Sequence, residues 1–239
     1  MKRSILFSFL LISFFAGAQE VINDANAQPR NVGAFTRVDI SNAFDVYLSQ
    51  GNENAVAVSA SDPEFRDKIT TRVENGTLHI EFNGDKNFWR GLKNNKMNLK
   101  AYISFKTLEQ LSVSGACNVK IMNELSADKL KIRLSGASDL KGKITAKFLE
   151  VNLNGASDIT LNGVVENLNV SASGASDYKG YDLQTSYCIA DASGASSVQV
   201  TVNKELNAKA SGASDIGYKG TGAVVDVRTS GASSIKKRS

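Results

Sequence analysis

Hydrophobic and polar residues alternate along most of this chain, and a short polar motif separates the alternating segments. The motif is Ser-Gly-Ala-Ser-Asp or a close variant, and it occurs seven times from residue 114 onward. Its glycines follow one another at intervals of 18 to 21 residues. They are Gly115, Gly136, Gly155, Gly174, Gly194, Gly212 and Gly231. A repeat of this length is typical of proteins built from stacked structural units.

The alternation around each glycine predicts β-strands. Apolar residues stand six, four and two positions before the glycine, as Leu130, Ile132 and Leu134 do, and again four positions after it. A period of two indicates a strand with one buried face. Three apolar residues are too few for an independent sheet, so each repeat must bury this face against its neighbours. Residues 35–239 are therefore predicted to form one all-β domain, a β-solenoid with coils of about 19 residues in its C-terminal half.

The motif predicts the corners between the strands. Glycine adopts positive φ without steric cost, which lets the chain turn sharply. We expect the alanine to point into the corner, and the serine and aspartate to cap backbone N–H groups that lack ladder partners. In the first coil, Asn42 of the segment Ser-Asn-Ala-Phe-Asp-Val takes the place of the glycine, because asparagine also tolerates positive φ.

The first half of the domain keeps alternating strands but loses the short period. Residues 35–110 are predicted to form wider coils with insertions, followed by regular coils over residues 111–239. Asn75-Gly76 predicts a tight turn. The order of an N-cap aspartate, a first-turn proline and a glutamate predicts a helix from Asp62 to Ile69.

The first residues have the pattern of a secretory signal peptide. The basic pair Lys2 and Arg3 precedes an apolar run, and Ala16-Gly17-Ala18 has the form of a cleavage site. We expect residues 1–18 to be removed, and the polar residues 19–34 to form a flexible leader. No cysteine follows the cleavage site, and the apolar run is too short to span a bilayer. We therefore expect an exported protein of the periplasm, the outer-membrane surface or the exterior, not a lipoprotein.

Composition narrows the classes of function. The hydrophobic fraction of 42% suits a folded domain. Removing Lys2 and Arg3 leaves 26 of the 28 basic residues against 24 acidic ones. A net charge of about +2 indicates neither nucleic acid nor an anionic membrane as a partner. Cys117 and Cys188 are predicted to be free thiols. Nearly four coils separate them, roughly 17 Å at the usual strand spacing, whereas a disulfide needs Cα atoms within about 7 Å.

Several features together resemble the head GIN domain family. They are the signal peptide, the Ser-Asn-Ala-Phe-Asp-Val segment, the inserted middle region, the lead-in from Leu108 to Val113 and the serial Ser-Gly-Ala-Ser-Asp turns. Members of this family are described as autotransporter adhesins and are common in Bacteroidetes-type bacteria. The resemblance covers nearly the whole chain after the signal peptide. It implies a right-handed, single-stranded parallel β-helix at the cell envelope.

Enzymatic chemistry has little support in the sequence. The only histidine, His79, lies in an alternating strand without a Cys, His or carboxylate cluster at metal-ligand spacing. Nucleophile, P-loop and dinucleotide motifs are absent, so we expect no enzyme and no cofactor.

Four aspartates share one position of the repeat, directly after the motif serine, and would form an acidic column in stacked coils. Two interpretations of this column remain open. Stacked carboxylates either cap turns or hold Ca²⁺ through oxygen ligands. Capping is favoured because Asn and Ser also occupy this position in other copies of the motif. The column comprises Asp139, Asp158, Asp177 and Asp215.

A basic aromatic segment is the candidate ligand-binding site. Its tryptophan has the character of a stacking platform for a sugar, and its basic residues would attract an anionic polymer. In the alternative, Phe88, Trp89 and Leu92 fold back to plug a wide coil. The candidate ligand-binding residues are Lys86, Trp89, Arg90 and Lys93.

Two classes of function follow from these observations. The first is a non-catalytic, adhesin-like envelope or surface protein that binds a polysaccharide or a cell-surface protein along a rigid face. The second is a carbohydrate-active enzyme with a site near residues 49–110, by analogy with other β-helix enzymes. A cleft beside that region holding two carboxylates about 5 to 10 Å apart would favour the enzyme.

Overall fold

The structure of the protein is a computed structural model that describes residues 24–84 and 96–239. It is an all-β fold with 63% strand and 2% helix, and it forms a parallel β-solenoid of about seven turns. The coils of the C-terminal half have a spacing of about 19 residues, so the predicted fold class is confirmed.

The described part of the chain contains seventeen strands and one short helix. The first nine strands are β1 (Gln28–Arg30), β2 (Arg37–Ile40), β3 (Asp45–Gln50), β4 (Ala55–Ser59), β5 (Ile69–Glu74), β6 (Thr77–Phe82), β7 (Lys100–Phe105), β8 (Gln110–Val113) and β9 (Asn118–Ile121). The others are β10 (Leu125–Leu134), β11 (Asp139–Leu153), β12 (Asp158–Ala172), β13 (Asp177–Ala192), β14 (Ser197–Ala210), β15 (Asp215–Lys219), β16 (Ala223–Thr229) and β17 (Ser234–Lys237). The helix is α1 (Pro63–Asp67).

The regular coils stack in register, so that equivalent residues of the repeat form columns. From β11 to β14 each strand runs from one glycine corner to the next and pairs in parallel with the coils before and after it. The column two positions before the glycine shows this register from coil to coil. It contains Leu134, Leu153, Ala172, Ala192, Ala210 and Thr229. The inner columns merge into one continuous hydrophobic core, as the period-two alternation requires.

The glycine corners bring successive coils into backbone contact. All seven motif glycines have positive φ, between 72° and 96°. A Cβ atom on Gly155 would lie 2.6 Å from the carbonyl oxygen of Gly136 in the preceding coil, far inside van der Waals contact. Glycine is therefore required both for the turn and for the stacking. Asn42 also has positive φ, 87°, as the sequence predicts. Its side-chain oxygen accepts a hydrogen bond from the N–H of Phe82, at 3.0 Å.

The residue that fills each corner is the serine, and the prediction that the alanine points inward is wrong. Ala137 is exposed, whereas Ser138 is fully buried. The hydroxyl of Ser176 donates to the carbonyl oxygen of Ser173 at 2.9 Å. The N–H of Ala156 keeps a ladder partner, since it donates to the Gly136 carbonyl at 2.8 Å. The serine hydroxyl also accepts from a corner N–H, as Ser196 does from Ser193 at 3.1 Å. The serine therefore caps a backbone N–H, as predicted, and in addition satisfies a carbonyl group inside the corner.

The acidic column lies on the outer surface, where two of its aspartates pair with one lysine. The ammonium group of Lys179 lies 3.3 Å from Asp158 of the preceding coil and 3.6 Å from Asp177 of its own coil. In the first coils, the Asn118 amide donates to the Asp45 carboxylate at 2.9 Å. Among the described residues, no group of three or more His, Cys, Asp or Glu side chains has an arrangement that could hold a metal ion.

The N-terminal half departs from the predicted wider coils because its strands are not stacked in chain order. The β2–β3 coil lies between the β6–β7 coil and the β8–β9 coil. Two edge strands then run in the opposite direction: β4 pairs antiparallel with β7, and β5 with β6. The β5–β6 hairpin turns at Asn75 and Gly76, both with positive φ. Helix α1 begins after the N-cap Asp62, as predicted, but ends at Asp67. This arrangement covers the N-terminal end of the core.

Part of the segment predicted as a flexible leader is ordered. Strand β1 pairs antiparallel with β4 and covers its open edge. Upstream of β1, the Asp24 carboxylate accepts hydrogen bonds from the Tyr102 hydroxyl at 2.6 Å and the Lys100 ammonium group at 3.1 Å. The prediction is therefore wrong for the residues from Asp24 through β1. The three-residue β1 is too short to show a strand period, which is why the sequence pattern does not reveal it.

The two cysteines are buried free thiols, as predicted. Cys117 takes the corner position that serine occupies in the following coils. Cys188 stands in an inner column beside Leu168 and Leu206.

The stacked core predicts a gradient of sensitivity along one column. Replacing Leu134, which is 1% exposed, by Ala should lower the free energy of unfolding by about 2 to 5 kcal/mol. The matched change Thr229→Ala lies in the same column but at an exposed position, and should cost far less. Chemical denaturation of both variants measures the difference. Equal losses would contradict a shared inner face.

The Asp24 contacts predict an acid-sensitive N-terminal segment. Burial of this carboxyl raises its pKa, but hydrogen bonds from Tyr102, Lys100, Asn26 and Ser59 outweigh burial, so the pKa lies below its ordinary value. A carboxyl with a lowered folded-state pKa stabilises the fold above its unfolded pKa, about 3.9, and this contribution is lost as the pH falls through the lowered pKa.

Hydrogen exchange of the β1 amides should therefore accelerate as the pH falls below about 4, beyond the intrinsic pH effect. Asp24→Asn should show fast β1 exchange already at neutral pH and no further acid-dependent step. Asp67→Asn, at an exposed helix position, serves as the control and should behave like the parent protein. An acid step that persists in Asp24→Asn would rule out this carboxyl as its source.

Candidate functional site

A groove of about 1070 Å³ runs along one side of the solenoid, across the strands. It crosses five coils, from β10 to β14, which corresponds to about 19 Å at a strand spacing of 4.8 Å. We call it the side groove. Its two walls are the columns seven and five positions before each corner glycine. The first wall contains Lys129, Phe148, Asn167, Tyr187 and Glu205, and the second contains Lys131, Glu150, Asn169, Ile189 and Asn207.

The solenoid fixes the position of these side chains. The residue between the two walls in each coil, such as Leu149 or Leu168, is buried in the core. Its neighbours on either side therefore point outward by the strand period. Parallel register then repeats the same pair of outward positions in every coil. The side groove is consequently a direct product of the repeat and needs no long loops.

Three large apolar side chains of the side groove are exposed to solvent. Phe148 is 48% exposed, Tyr187 36% and Ile189 47%. A lysine covers part of each ring: the ammonium nitrogen of Lys129 lies 5.7 Å from the centroid of Phe148, and that of Lys204 lies 5.1 Å from the centroid of Tyr187. These are cation–π distances. Open apolar side chains in a concave polar setting are typical of ligand sites.

Two carboxylates of the side groove, Glu150 and Asp128, are paired with lysines. Lys131 pairs with Glu150, which also accepts a hydrogen bond from the Asn152 amide at 2.9 Å. Lys147 lies 2.8 Å from Asp128. These partners hold the pKa of both carboxyl groups below their ordinary values. A general acid in glycoside hydrolysis needs the opposite shift, a raised pKa. Glu150 and Asp128 are therefore poorly suited to acid catalysis.

The ligand-binding residues proposed from the sequence, Lys86, Trp89, Arg90 and Lys93, lie outside the described residues. His79 lies on β6 with its Nδ1 atom 3.6 Å from Asp39, and its side chain is 23% exposed. It does not line the side groove.

Sequence reasoning missed Phe148, Tyr187 and Ile189. Their signal is nonetheless present in the repeat. Within six positions of the glycine the apolar core occupies the even positions, whereas these three residues are apolar at the odd positions minus seven and minus five. Large apolar residues at outward positions of nearby coils are the signal of an exposed apolar surface.

The fold and the side groove define a class: a parallel β-solenoid whose N-terminal end is covered and whose flank carries a ligand-sized groove. The chain belongs to the family described as "putative auto-transporter adhesin, head GIN domain", which matches residues 34–222. No curated protein matches the chain significantly. Among the described residues, no helix is long and apolar enough to cross a membrane.

Several crystal structures have the same fold. A "putative adhesin" from Bacteroides fragilis is 21% identical with a TM-score of 0.79, over 89% of this chain and 96% of that one. A "putative lipid binding protein" from Parabacteroides distasonis is 20% identical with a TM-score of 0.64, over 90% and 98% of the two chains. A "putative adhesin" from Parabacteroides merdae is 16% identical with a TM-score of 0.65, over 89% and 95%. At these sequence identities, the similarity shows a shared fold and nothing more specific.

Proposed function

We propose that this protein is a non-catalytic, exported binding protein of the cell envelope or cell surface. It binds an extended glycan or protein ligand in the side groove. The observation that carries this proposal is the groove itself, which crosses five coils and exposes three large apolar side chains. Soluble domains seldom expose such a patch unless it contacts a partner.

The rigidity of the solenoid supports this role. The walls of the side groove stand on strands that are paired on both sides and rest on a continuous core. A preorganised surface loses little conformational entropy on binding. The names of the similar structures, adhesins and a lipid-binding protein, also denote binding rather than catalysis. The pattern of residues 1–18 supports export.

A carbohydrate-active enzyme is the second candidate, and the fold analogy alone favours it. The side groove lies mainly over the regular coils and not beside residues 49–110, where the enzyme was expected. Its paired carboxylates have lowered pKa values. A binding protein therefore accounts better for the site.

The test uses two charge insertions on one strand. Asn169 and Thr160 are both exposed residues of β12, but only Asn169 lies in the side groove. Parent protein, Asn169→Arg and Thr160→Arg are compared on a glycan array and in pull-downs from bacterial envelope fractions. We expect at least one glycan or envelope protein to bind the parent and Thr160→Arg, and to bind Asn169→Arg at least about tenfold more weakly.

Three results would contradict the proposal. The first is the absence of any ligand, and the second is a ligand that binds Asn169→Arg with the same affinity as the parent protein. The third is the release of new reducing ends from a bound glycan, which would support the enzyme instead.

A further inference from the structure

We infer that the ligand of the side groove is a neutral polysaccharide, with its sugar rings stacked against Phe148 and Tyr187. This inference rests on the proposed function and names the chemical class of its ligand.

The two rings lie along one line of the side groove. Phe148 and Tyr187 stand in the same wall, separated by one coil that carries Asn167. Two strand spacings place them about 9.6 Å apart along the groove. The negative face of an aromatic ring attracts the weakly positive C–H face of a pyranose. Rings repeated along one line therefore suit a polymer of sugar rings better than a compact ligand.

Amide groups stand beside the rings. Asn167 and Asn169 line the coil between Phe148 and Tyr187, and Asn207 lines the coil that follows Tyr187. The Asn167 amide nitrogen donates to the Lys147 carbonyl at 3.2 Å, which leaves its oxygen as an acceptor. Each asparagine side chain offers both donors and acceptors. Sugar hydroxyl groups, which both donate and accept, match this supply.

The charge between the two rings also fits a neutral ligand. Between Phe148 and Ile189 the two walls contain one acidic residue, Glu150, and it is paired with Lys131. The other wall residues of this central stretch are neutral. Lys129 and Lys204 lie at its edges, with their ammonium groups over the rings of Phe148 and Tyr187. A polymer with a negative charge on every sugar would therefore meet no cation from the wall residues between the rings.

The backbone argues against a peptide ligand. The strands beneath the side groove already pair with the coils on both sides. Their N–H and C=O groups are therefore not open to an added strand, which is the usual mode of recognising an extended peptide. A peptide lying across the strands would leave most of its own backbone groups to be satisfied by three amides or by water. A polysaccharide keeps its outer hydroxyl groups in water.

The experiment measures binding of the folded protein by isothermal titration calorimetry. The probes are soluble neutral glucan, mannan and galactan, the acidic polymer polygalacturonate, and phosphatidylglycerol vesicles. We expect at least one neutral polymer to bind, with an affinity that changes little between about 0.05 M and about 0.5 M NaCl, because screening acts only on charged partners.

Ring variants then locate the site. Phe148→Ala and Tyr187→Ala should each weaken binding by about tenfold or more, whereas Phe148→Tyr and Tyr187→Phe keep a ring and should retain affinity. Tyr181→Ala is the matched control, because Tyr181 also carries a lysine over its ring, Lys219 at 4.9 Å, but lies outside the side groove. Thermal unfolding checks that each variant remains folded, as expected for exposed rings.

The inference is overturned if only polygalacturonate or the vesicles bind, or if neutral-polymer binding is the same in the two alanine variants as in the parent. A protein ligand that is sensitive to Asn169→Arg, with no glycan bound, would also overturn it. That last result would leave the proposed binding function intact, so the two failures are distinguishable.

Discussion

The close approach of backbones at the glycine corner is the constraint on which the rest of the solenoid depends. A Cβ atom at Gly136 would lie 2.3 Å from the Gly115 carbonyl oxygen, and the same clash recurs at Gly155 and Gly174. Each corner therefore holds one coil directly on the one before it, with ladder hydrogen bonds of 2.7 to 2.8 Å running through the turn. Because the corners are aligned, every other position of the repeat is aligned with them.

This alignment explains how the fold accepts variation without losing the side groove. Between Gly174 and Gly194 the coil is one residue longer than the two before it, and its ladder with the preceding coil shifts register between Thr160 and Asn162. The strands are again in register at Tyr187 and Cys188. The extra residue is accommodated after the Gly174 corner and before the residues of the side groove. Tyr187 consequently keeps its place in the wall that begins with Lys129 and Phe148.

Periodic strands and turns can be predicted from the sequence. Very short strands, pairing between distant segments and a buried polar residue cannot. Strand alternation and glycine spacing are enough for the coils, and Asn42 and the Asn75-Gly76 turn follow from backbone preferences. The order of β6, β2 and β8 does not follow, because pairing between distant segments leaves no local pattern. The serine at the corner is a different case. Counting by twos from the core places it inside, whereas its polarity suggests outside, and the buried carbonyl that its hydroxyl satisfies decides between them.

The same counting rule separates core residues from the residues of the proposed ligand site. Leu130, Leu149 and Leu168 stand at an even position and are explained by the core. Phe148, Tyr187 and Ile189 stand at odd positions and are between 36% and 48% exposed, so burial accounts for only part of each side chain. Their partners across the strands are polar, Lys129 and Asn167 for Phe148 and Glu205 for Tyr187, so pairing between apolar neighbours does not explain them either. We therefore assign the exposed part of these side chains to the proposed ligand contact.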